Sequence, residues 1–333
     1  MKKVLLSYGG GGEETWKLIK DVFIKYFDND KLSRLEDSTI LEINSKVAFT
    51  TDSFTVKPIF FSGGNIGKLA VAGTVNDLSV MGAKPLYLST GFIIEEGFPL
   101  EELEIIAKSM RNEAKKVGAL IVTGDTKVVP KGSVDGVFIN TSGIGEVLYD
   151  GLSCKNVRPG DVIIVSGSIG EHGACILAQR EGINVDMELQ SDCNSLWSLV
   201  ECIIGTGAKI HAMRDPTRGG LSAVLYEWAF ASGVSFLIEQ ESVPIKGPVV
   251  GLCDLLGLEP YHLACEGRLV LAVPFEHGQK VLSAIRSHPD GKDATIIGEA
   301  LPSDGLSKVF FKTPYGTHRT LDPPTGELLP RIC

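Results

Sequence analysis

The chain has 333 residues, 44% of them hydrophobic, and a formal net charge of -9. This length and composition predict two domains with packed cores and exclude intrinsic disorder. The acidic balance argues against non-specific binding to nucleic acid or anionic membranes, which needs clustered Lys and Arg, but it leaves room for a local anion site.

The first half alternates predicted strands and helices, a pattern typical of a layered α/β or α+β domain. Apolar residues at helical spacing predict the helices, and short apolar runs predict the strands. The helices are expected at 13–27, 66–81 and 100–117, and the strands at 46–50, 54–61, 86–94, 119–123 and 136–147.

The pattern restarts after a cluster of Asp, Asn, Gly and Pro residues between 150 and 160, which predicts a domain boundary. We expect an N-terminal domain at 1–153, a C-terminal α/β domain at 154–320 and a tail at 321–333. In the second half, helices are expected at 171–181, 192–204, 217–232, 247–256 and 276–287, and strands at 161–166, 234–239, 268–273, 294–299 and 307–312.

The last twelve residues, DPPTGELLPRIC, contain three prolines and a glycine, which suit neither a helix nor an inner strand. We expect an extended tail with a reach of about 40 Å. A thiolate is an effective nucleophile, and the nearby Arg331 favours that form of Cys333. A terminal cysteine alone more often has no role, so the hypothesis of a catalytic thiol depends on the tail before it.

The cysteines and the apolar runs bear on location. The seven cysteines have no zinc-type spacing, and they are typical of free thiols in a reducing cytosol. No apolar run reaches the roughly 18 residues that a membrane span needs. We therefore expect a cytoplasmic protein.

Several carboxylates stand at predicted strand ends or in apolar surroundings. Asp52 and Asp125 follow predicted strands, Asp215 opens the segment DPTRGG, and Asp77 lies inside an apolar helix. Magnesium prefers such oxygen ligands together with phosphate oxygens. The alternatives are turn residues for Asp52 and Asp125 and a helix N-cap for Asp215, whereas Asp77 requires a partner.

Glycine-rich turns provide a second signal for phosphate binding. Gly9–Gly12 precedes a predicted helix, and Gly63-Gly64 and Gly124 lie beside Lys68 and Lys127. Glycine lets backbone N–H groups approach phosphate oxygens. The alternatives are a flexible linker and solvated surface lysines, and the segment from Ser62 to Leu69 lacks the terminal hydroxyl of a complete P-loop.

Glu266 lies between apolar stretches in HLACEGRLVLAV. Burial there would raise the pKa of the carboxyl and suit it to act as a base. The alternative is an ion pair with Arg268.

Six segments together resemble the hydrogenase maturation factor HypE family, in the superfamily of aminoimidazole ribonucleotide synthetase and selenophosphate synthetase. The segments are TTDSFTVKPIFFSGGNIGKLAVAGTVNDLSVMGA (50–83), VTGDTKVV (122–129), SGSIGEHG (166–173), RDPTRGGL (214–221), CEGRLV (265–270) and PRIC (330–333). They span nearly the whole chain in the expected order. FFSGGNIGKLA and PRIC are typical of HypE itself, whereas the middle segments are shared by the superfamily.

The resemblance implies a two-domain fold with mixed sheets flanked by helices, and a homodimer formed through the first domain. It implies that ATP and Mg2+ bind between the domains. The metal ligands would be Asp52, Asp77 and Asp125. The other nucleotide-binding residues would be Gly10, Gly11, Gly12, Asn65, Lys68, Gly124 and Thr126.

The resemblance also implies the chemistry. Cys333 would accept a carbamoyl group from the partner HypF, and ATP-dependent dehydration would convert that group to a thiocyanate. The cyanide would pass to iron on the HypC–HypD complex for a NiFe hydrogenase. Glu266 would act as the base and Lys127 as the cation in this catalytic step. Cys265 departs from relatives, which often carry Asn before the Glu-Gly pair.

Three other functions remain compatible with the residues alone. One is another phosphoryl-activating synthetase of the superfamily that acts on a small molecule without needing Cys333. The others are a non-catalytic nucleotide-binding scaffold, which docks through its tail, and a thiol redox sensor.

Overall fold

The computed structural model describes residues 3–9, 13–34, 39, 41–183, 189–303, 305 and 307–321. It has the mixed α/β architecture that the sequence predicted, with two main sheets and flanking helices. Helical segments include α1 (Glu13–Leu18), a π-helix (Ile19–Ile24), α2 (Lys25–Phe27), α3 (Ile66–Val80), α4 (Leu100–Val117), α5 (Glu171–Arg180), α6 (Trp197–Ile204), α7 (Gly220–Ser232), α8 (Gly247–Leu256) and α9 (Phe275–Ser287).

The strands fall into an N-terminal group and a C-terminal group. The first group is β1 (Val47–Phe54), β2 (Phe60–Phe61), β3 (Gly64–Asn65), β4 (Ala83–Glu95), β5 (Leu120–Val129) and β6 (Val137–Val147). The second group is β7 (Asp161–Val165), β8 (Ala212–Arg214), β9 (Val234–Glu239), β10 (Val270–Pro274), β11 (Thr295–Pro302), β12 (Val309–Lys312) and β13 (His318–Thr320).

The first sheet has the order β1-β6-β4-β5, in which only β4 and β5 run parallel. Helix α3 packs against β1, β6 and β4 on one face. Along β1, side chains alternate between this covered face and an open face, as strand geometry requires. Val47 and Phe49 on the open face are 45% and 68% exposed, so the described chain leaves an apolar sheet surface uncovered.

Helices α3 and α4 pack together closely because α3 carries small residues. A side chain at Gly67 would place its Cβ 2.5 Å from the carbonyl oxygen of Ile106 in α4. Only glycine therefore permits this approach. The apolar stripe predicted for α4 is buried at its predicted positions, 103, 106, 110, 114 and 117.

The second sheet has the order β13-β12-β9-β11-β7-β10-β8 and is antiparallel except between β12 and β9. One hydrophobic cluster runs from the first half into the second and includes Leu69 in α3, Ile106 in α4, Val200 in α6 and Val281 in α9. The two halves are therefore packed against each other. The domain limits at residues 153 and 320 stay a prediction.

The structure corrects three predicted elements. The strand expected at 54–61 is wrong, because the chain leaves the sheet after Phe54 and Pro58 has no N–H for a ladder. The strand expected at 119–123 instead continues to Val129 along β4. Residues 192–196 are not helical, and α6 begins at Trp197.

In the part of the chain that the structure describes, no helix combines the length and the apolar character that a membrane crossing needs.

Candidate functional site

Asp52 and Asp77 come together where β1 meets α3. The Thr50 hydroxyl, on the covered face of β1, donates a 2.7 Å hydrogen bond to Oδ2 of Asp77. The Asp52 carboxylate lies against Gly73, one helical turn before Asp77. Burial and the charge of Asp77 raise the pKa of Asp52 to about 6, against an opposing effect of Arg218. Two carboxylates held this closely favour a bound cation.

Asp215 brings a third carboxylate from the second half. It is 6% exposed, and burial together with the charges of Asp77 and Asp52 raises its pKa to about 7. Asp215 does not cap α7, because that helix has Gly219 at its N-cap position. Asp77 and Asp215 line a cleft of about 390 Å³ between the two halves. Its other lining residues include Thr50, Thr217, Arg214 and Arg218.

Glu266 is 2% exposed. Burial raises the pKa of its carboxyl well above the ordinary value, and the charges of Asp215, Asp192, Asp52 and Asp77 add to this effect. Such a carboxyl is a strong base once it loses its proton, and a nearby cation would favour that loss.

The alternative ion pair between Glu266 and Arg268 does not form. Arg268 lies 2.8 Å from Glu171 Oε2 and 3.8 Å from Asp192 Oδ2. The arginine is therefore engaged by two other carboxylates.

Gly124, Asp125, Thr126 and Lys127 lie within β5 and not at its end. The Lys127 ammonium is 3.4 Å from Asp125 Oδ1, and both side chains are more than half exposed. An exposed pair of this kind contributes little to stability. Its exposure leaves both charges available to a ligand or to a second chain.

Within one chain, Asp125 lies far from Asp52. The register of the sheet aligns Asp125 with Gly91, Gly91 with Asn140, and Asn140 with Ser53. Asp125 is therefore three strands from β1, roughly 14 Å at about 4.8 Å per strand. It shares the open face with Ser53, whereas Asp52 points to the covered face. The structure thus brings together Asp52 and Asp77 but not Asp125, and it leaves Lys127 on the face opposite α3.

A cavity of about 310 Å³ lies between β5 and the helical segment at 13–27. Phe23, Phe27 and Phe92 supply apolar walls, and residues 124–127 supply a polar rim. A flat aromatic ring with polar edges suits this combination.

Asn65 and Lys68 have local partners at the start of α3. Asn65 Oδ1 accepts hydrogen bonds from the N–H groups of Gly67 and Lys68, which makes Asn65 the N-cap of the helix. The Lys68 ammonium donates to the carbonyl of Gly63 at 3.0 Å. Both positions are close to the junction of the halves, but their role in nucleotide binding stays a prediction.

Gly10, Gly11, Gly12 and Cys333 lie outside the described residues, so the structure does not bear on their predicted roles. Cys265 is fully buried, and its sulfur accepts a hydrogen bond from the N–H of Gly170 at 3.1 Å. Burial raises the pKa of this thiol well above its usual value, which makes it unreactive.

Two contributors escaped the sequence analysis. Asp192 accepts a hydrogen bond from the N–H of Glu266, and Asn76 donates one to the carbonyl of Glu266. An amide next to Asp77 in an apolar helix was a sequence pattern that could have identified Asn76. No sequence pattern indicated a role for Asp192. Among the described residues, no three His, Cys, Asp or Glu side chains are grouped to hold a metal ion.

Two family models match consecutive parts of the chain. The AIR synthase related protein N-terminal domain matches residues 35–147, and the corresponding C-terminal domain matches residues 158–309. The carbamoyl dehydratase HypE of Rhizobium leguminosarum bv. viciae is 47% identical over 335 residues, with 99% of this chain and 95% of the relative covered.

Solved structures resemble the chain equally closely. The crystal structure of a hydrogenase maturation protein HypE in complex with ATP gives a TM-score of 0.95 at 45% identity and covers 99% of both chains. A chain in the crystal structure of a HypE–HypF complex gives 0.80 at 50% identity, over 92% of this chain and 99% of that one. This chain therefore belongs to the HypE carbamoyl dehydratase family, among the AIR synthase related proteins.

Proposed function

We propose that this chain is an ATP-dependent carbamoyl dehydratase of NiFe hydrogenase maturation. It converts a carbamoyl group on the Cys333 thiol to a thiocyanate, which supplies the cyanide ligands of the active-site iron. The observation that carries the proposal is the acid group Asp52, Asp77, Asp215 and Glu266, of which the first two are half-buried and the last two buried, in a chain 47% identical to a carbamoyl dehydratase over almost its full length.

The reaction requires activation of an amide oxygen, which is a poor leaving group. The oxygen of the S-carbamoyl group takes the γ-phosphoryl group of ATP, and two protons leave the nitrogen as the C–O bond breaks. The products are the thiocyanate, ADP and phosphate, and the phosphate keeps the amide oxygen. Glu266 accepts one nitrogen proton, the other leaves with the departing phosphate, and Lys127 offsets the negative charge on the phosphorylated oxygen.

The cavity beside β5 is suited to the base of ATP. Its volume of about 310 Å³ lies at the lower end of the range for small-molecule sites. We place the adenine against the apolar wall formed by Phe23, Phe27 and Phe92, with the phosphates toward Gly124, Asp125 and Thr126. From the family resemblance, we also propose that Gly10, Gly11 and Gly12 contribute to nucleotide binding.

Asp52 and Asp77 fit a magnesium ion. The carboxylates are close together, and the Asp52 carboxyl holds its proton to about pH 6 in the absence of a cation. Magnesium typically takes one or two protein carboxylates and completes its shell with phosphate oxygens and water. When bound, the ion supplies charge neutralisation for the transferring phosphoryl group.

We propose that the complete site is shared between two copies of the chain. The open face of the first sheet carries exposed Val47, Phe49, Ile93 and Leu120, an apolar surface typical of an interface. Strands β1 and β5 are the two edges of the sheet, so a second copy would align the β5 edge of one chain, with Asp125 and Lys127, with the β1 edge of the other, beside Asp52 and Asp77. A homodimer thus accounts for the separation of these acids within one chain.

We propose two external partners from the family resemblance. HypF is the donor of the carbamoyl group, in keeping with the solved HypE–HypF complex to which this chain is similar. The HypC–HypD complex is the proposed acceptor of cyanide. We propose a cytoplasmic location for these exchanges.

Intact mass spectrometry tests the proposal. Incubation with HypF, carbamoyl phosphate and ATP should add one carbamoyl group to the chain and then remove the mass of one water. Replacing Cys333 by Ala should abolish both changes, whereas Cys265→Ser should leave them intact because that thiol is buried. No adduct at Cys333 would overturn the proposal.

The rival functions predict other results. A small-molecule synthetase would hydrolyse ATP at an unchanged rate after removal of residues 331–333, and a scaffold would show no turnover at all. For a redox sensor, Cys193 and Cys265 are poor candidates, because both are buried and have raised pKa values.

A further inference from the structure

The Asp192 carboxylate binds the main chain of Glu266 and of the residue after it. One oxygen of the Asp192 carboxylate accepts from the N–H of Glu266 at 3.2 Å, and the other accepts from the N–H of Gly267 at 3.2 Å. The Asp192 side chain is completely buried, and Arg268 Nε lies 3.8 Å from it. The carboxylate thus accepts from two consecutive main-chain donors, and the nearby Arg268 partly neutralises its charge.

Asn76 holds the same residue from the other side of the junction. Its Nδ2 group donates to the carbonyl of Glu266 at 3.2 Å and to the carbonyl of Asn194 at 3.1 Å. Its Oδ1 atom accepts from the N–H of Leu196 at 2.8 Å. Asn76 is fully buried, and both N–H donors and the oxygen of its amide bond to main-chain groups of the second half.

Helix α3 connects this contact to the acid pair. Asn76 and Asp77 are consecutive residues near the C-terminal end of the helix. The first reaches the backbone of Glu266, and the second meets Thr50 and the charge of Asp52. One buried helix therefore sets the separation between the proposed base and the proposed metal ligands.

We propose that Asn76 and Asp192 are positioning residues, which fix the main chain of Glu266 so that its carboxyl meets the substrate nitrogen beside the acid pair. This inference rests on the proposed function, in which Glu266 accepts the proton. Neither residue needs to touch substrate, because their hydrogen bonds go to the backbone. Misplacement of a catalytic group by about 1 Å lowers the rate about a hundredfold.

Glu113 provides a matched control across the same junction. Its carboxylate in α4 accepts from the N–H of Ser195 at 2.9 Å and from the Ser195 hydroxyl at 2.7 Å. It is 2% exposed, so its burial is comparable to that of Asn76. Its hydrogen bonds reach the second half without touching Glu266.

The test compares N76A, D192N and E113Q. Each full-length variant is first carbamoylated on Cys333, and the loss of water is then followed by mass in a single turnover at several ATP concentrations up to saturation. We expect N76A and D192N to be at least about tenfold slower with little change in the KM for ATP, because geometry and not binding is lost. E113Q should keep the wild-type rate. Because Asn has nearly the same shape as Asp, D192N provides the test if N76A folds poorly.

Hydrogen exchange gives a readout that does not depend on activity. Backbone exchange in the segment 264–269 should become faster in N76A and should stay unchanged in E113Q. Wild-type dehydration rates in both N76A and D192N, or an equal loss of rate in E113Q, would overturn the inference. Absence of water loss from the carbamoylated wild-type chain would instead overturn the proposed function. Unchanged hydrogen exchange at 264–269 in N76A would show that Asn76 does not fix the main chain of Glu266.

Discussion

The hydroxyl of Thr50 donates a 2.7 Å hydrogen bond to the carboxylate of Asp77, and this bond joins the edge strand β1 to helix α3. It orients one of the two acids proposed to hold magnesium. A donor at this position also offsets the cost of placing Asp77 close to Asp52.

Replacing Thr50 by Val keeps the shape of the side chain and removes the donor. We expect the affinity for ATP in the presence of magnesium to fall about tenfold, because a hydrogen bond to a charged group contributes about 1.5 kcal/mol. Isothermal titration with a non-hydrolysable ATP analogue and magnesium measures the effect. Ser79→Ala is the control, since that buried hydroxyl of α3 bonds only to the carbonyl of Val75 among the described contacts. Equal affinities for Thr50→Val and wild type would exclude this role.

Subunit mixing tests the shared site. Asp52→Asn and Asp125→Asn chains should each be inactive as homodimers. After the two are mixed under conditions that exchange subunits, about a quarter of the sites should be intact, because each mixed dimer then has one unmutated site. The recovered rate of thiocyanate formation is the measurement. If the mixture stays as inactive as its components, each site is built from a single chain.

His172 should make the folded chain sensitive to mild acid. It is fully buried, with Nδ1 2.7 Å from the Ser191 hydroxyl and Nε2 without a partner among the described residues. Burial and the charge of Arg180 lower its pKa from 6.5 to about 3. Between these two pKa values the unfolded chain binds a proton at His172 and the folded chain does not. The free energy of unfolding therefore falls as the pH drops from about 6.5 toward 3.

Urea unfolding at pH 7 and pH 5 measures this effect. His172→Gln should lose less stability between these two pH values than wild type, by about 2 kcal/mol. His318→Gln, at an exposed position of β13, should keep the wild-type pH dependence. Parallel curves for wild type and His172→Gln would contradict the prediction.

Gly267 should not tolerate a side chain. A Cβ atom there would lie 1.9 Å from the carbonyl oxygen of Asp192, so the loop that holds Glu266 would have to move. We expect Gly267→Ala to lower the free energy of unfolding by about 3 kcal/mol and to slow dehydration.

Gly247 is the matched control for this substitution. Nothing lies within 4 Å of the Cβ position at this first residue of α8. Gly247→Ala should therefore be neutral or stabilising by about 0.5 kcal/mol. Equal unfolding curves for the two Ala variants would show that the loop at Asp192 moves to admit the Cβ atom without lowering the free energy of unfolding.

Local patterns in the sequence predicted the helices that carry the site. The apolar run at 66–81 and the stripe at 100–117 correspond to α3 and α4. Asp77 was noticeable because a charge in an apolar helix requires a partner, and the structure provides Thr50 and the cleft to the second half.

Other parts of the site depend on contacts that no local pattern records. Asp192 and Glu266 are separated by 74 residues, and Asn76 and Glu266 by 190. Gly124 predicted a turn, yet pairing with β4 carries the strand through Asp125. Such tertiary pairing overrides local propensity. The positions of Cys333 and of Gly10, Gly11 and Gly12 stay predictions from the family resemblance.

The junction between the halves also has a consequence for variation among related chains. Asn76 bonds to main-chain groups at 194, 196 and 266, and Glu113 accepts from the main-chain N–H at 195 as well as from the Ser195 hydroxyl. Every amino acid except proline supplies such main-chain groups in full. Side chains at 194 can therefore change without loss of these bonds, whereas changes at 76 and 113 cannot be compensated at a single facing position. Substitutions are thus tolerated on the side of the contact that supplies main-chain groups and not on the side that supplies side chains. Covariation between facing positions should therefore be weak there, although the contact is close.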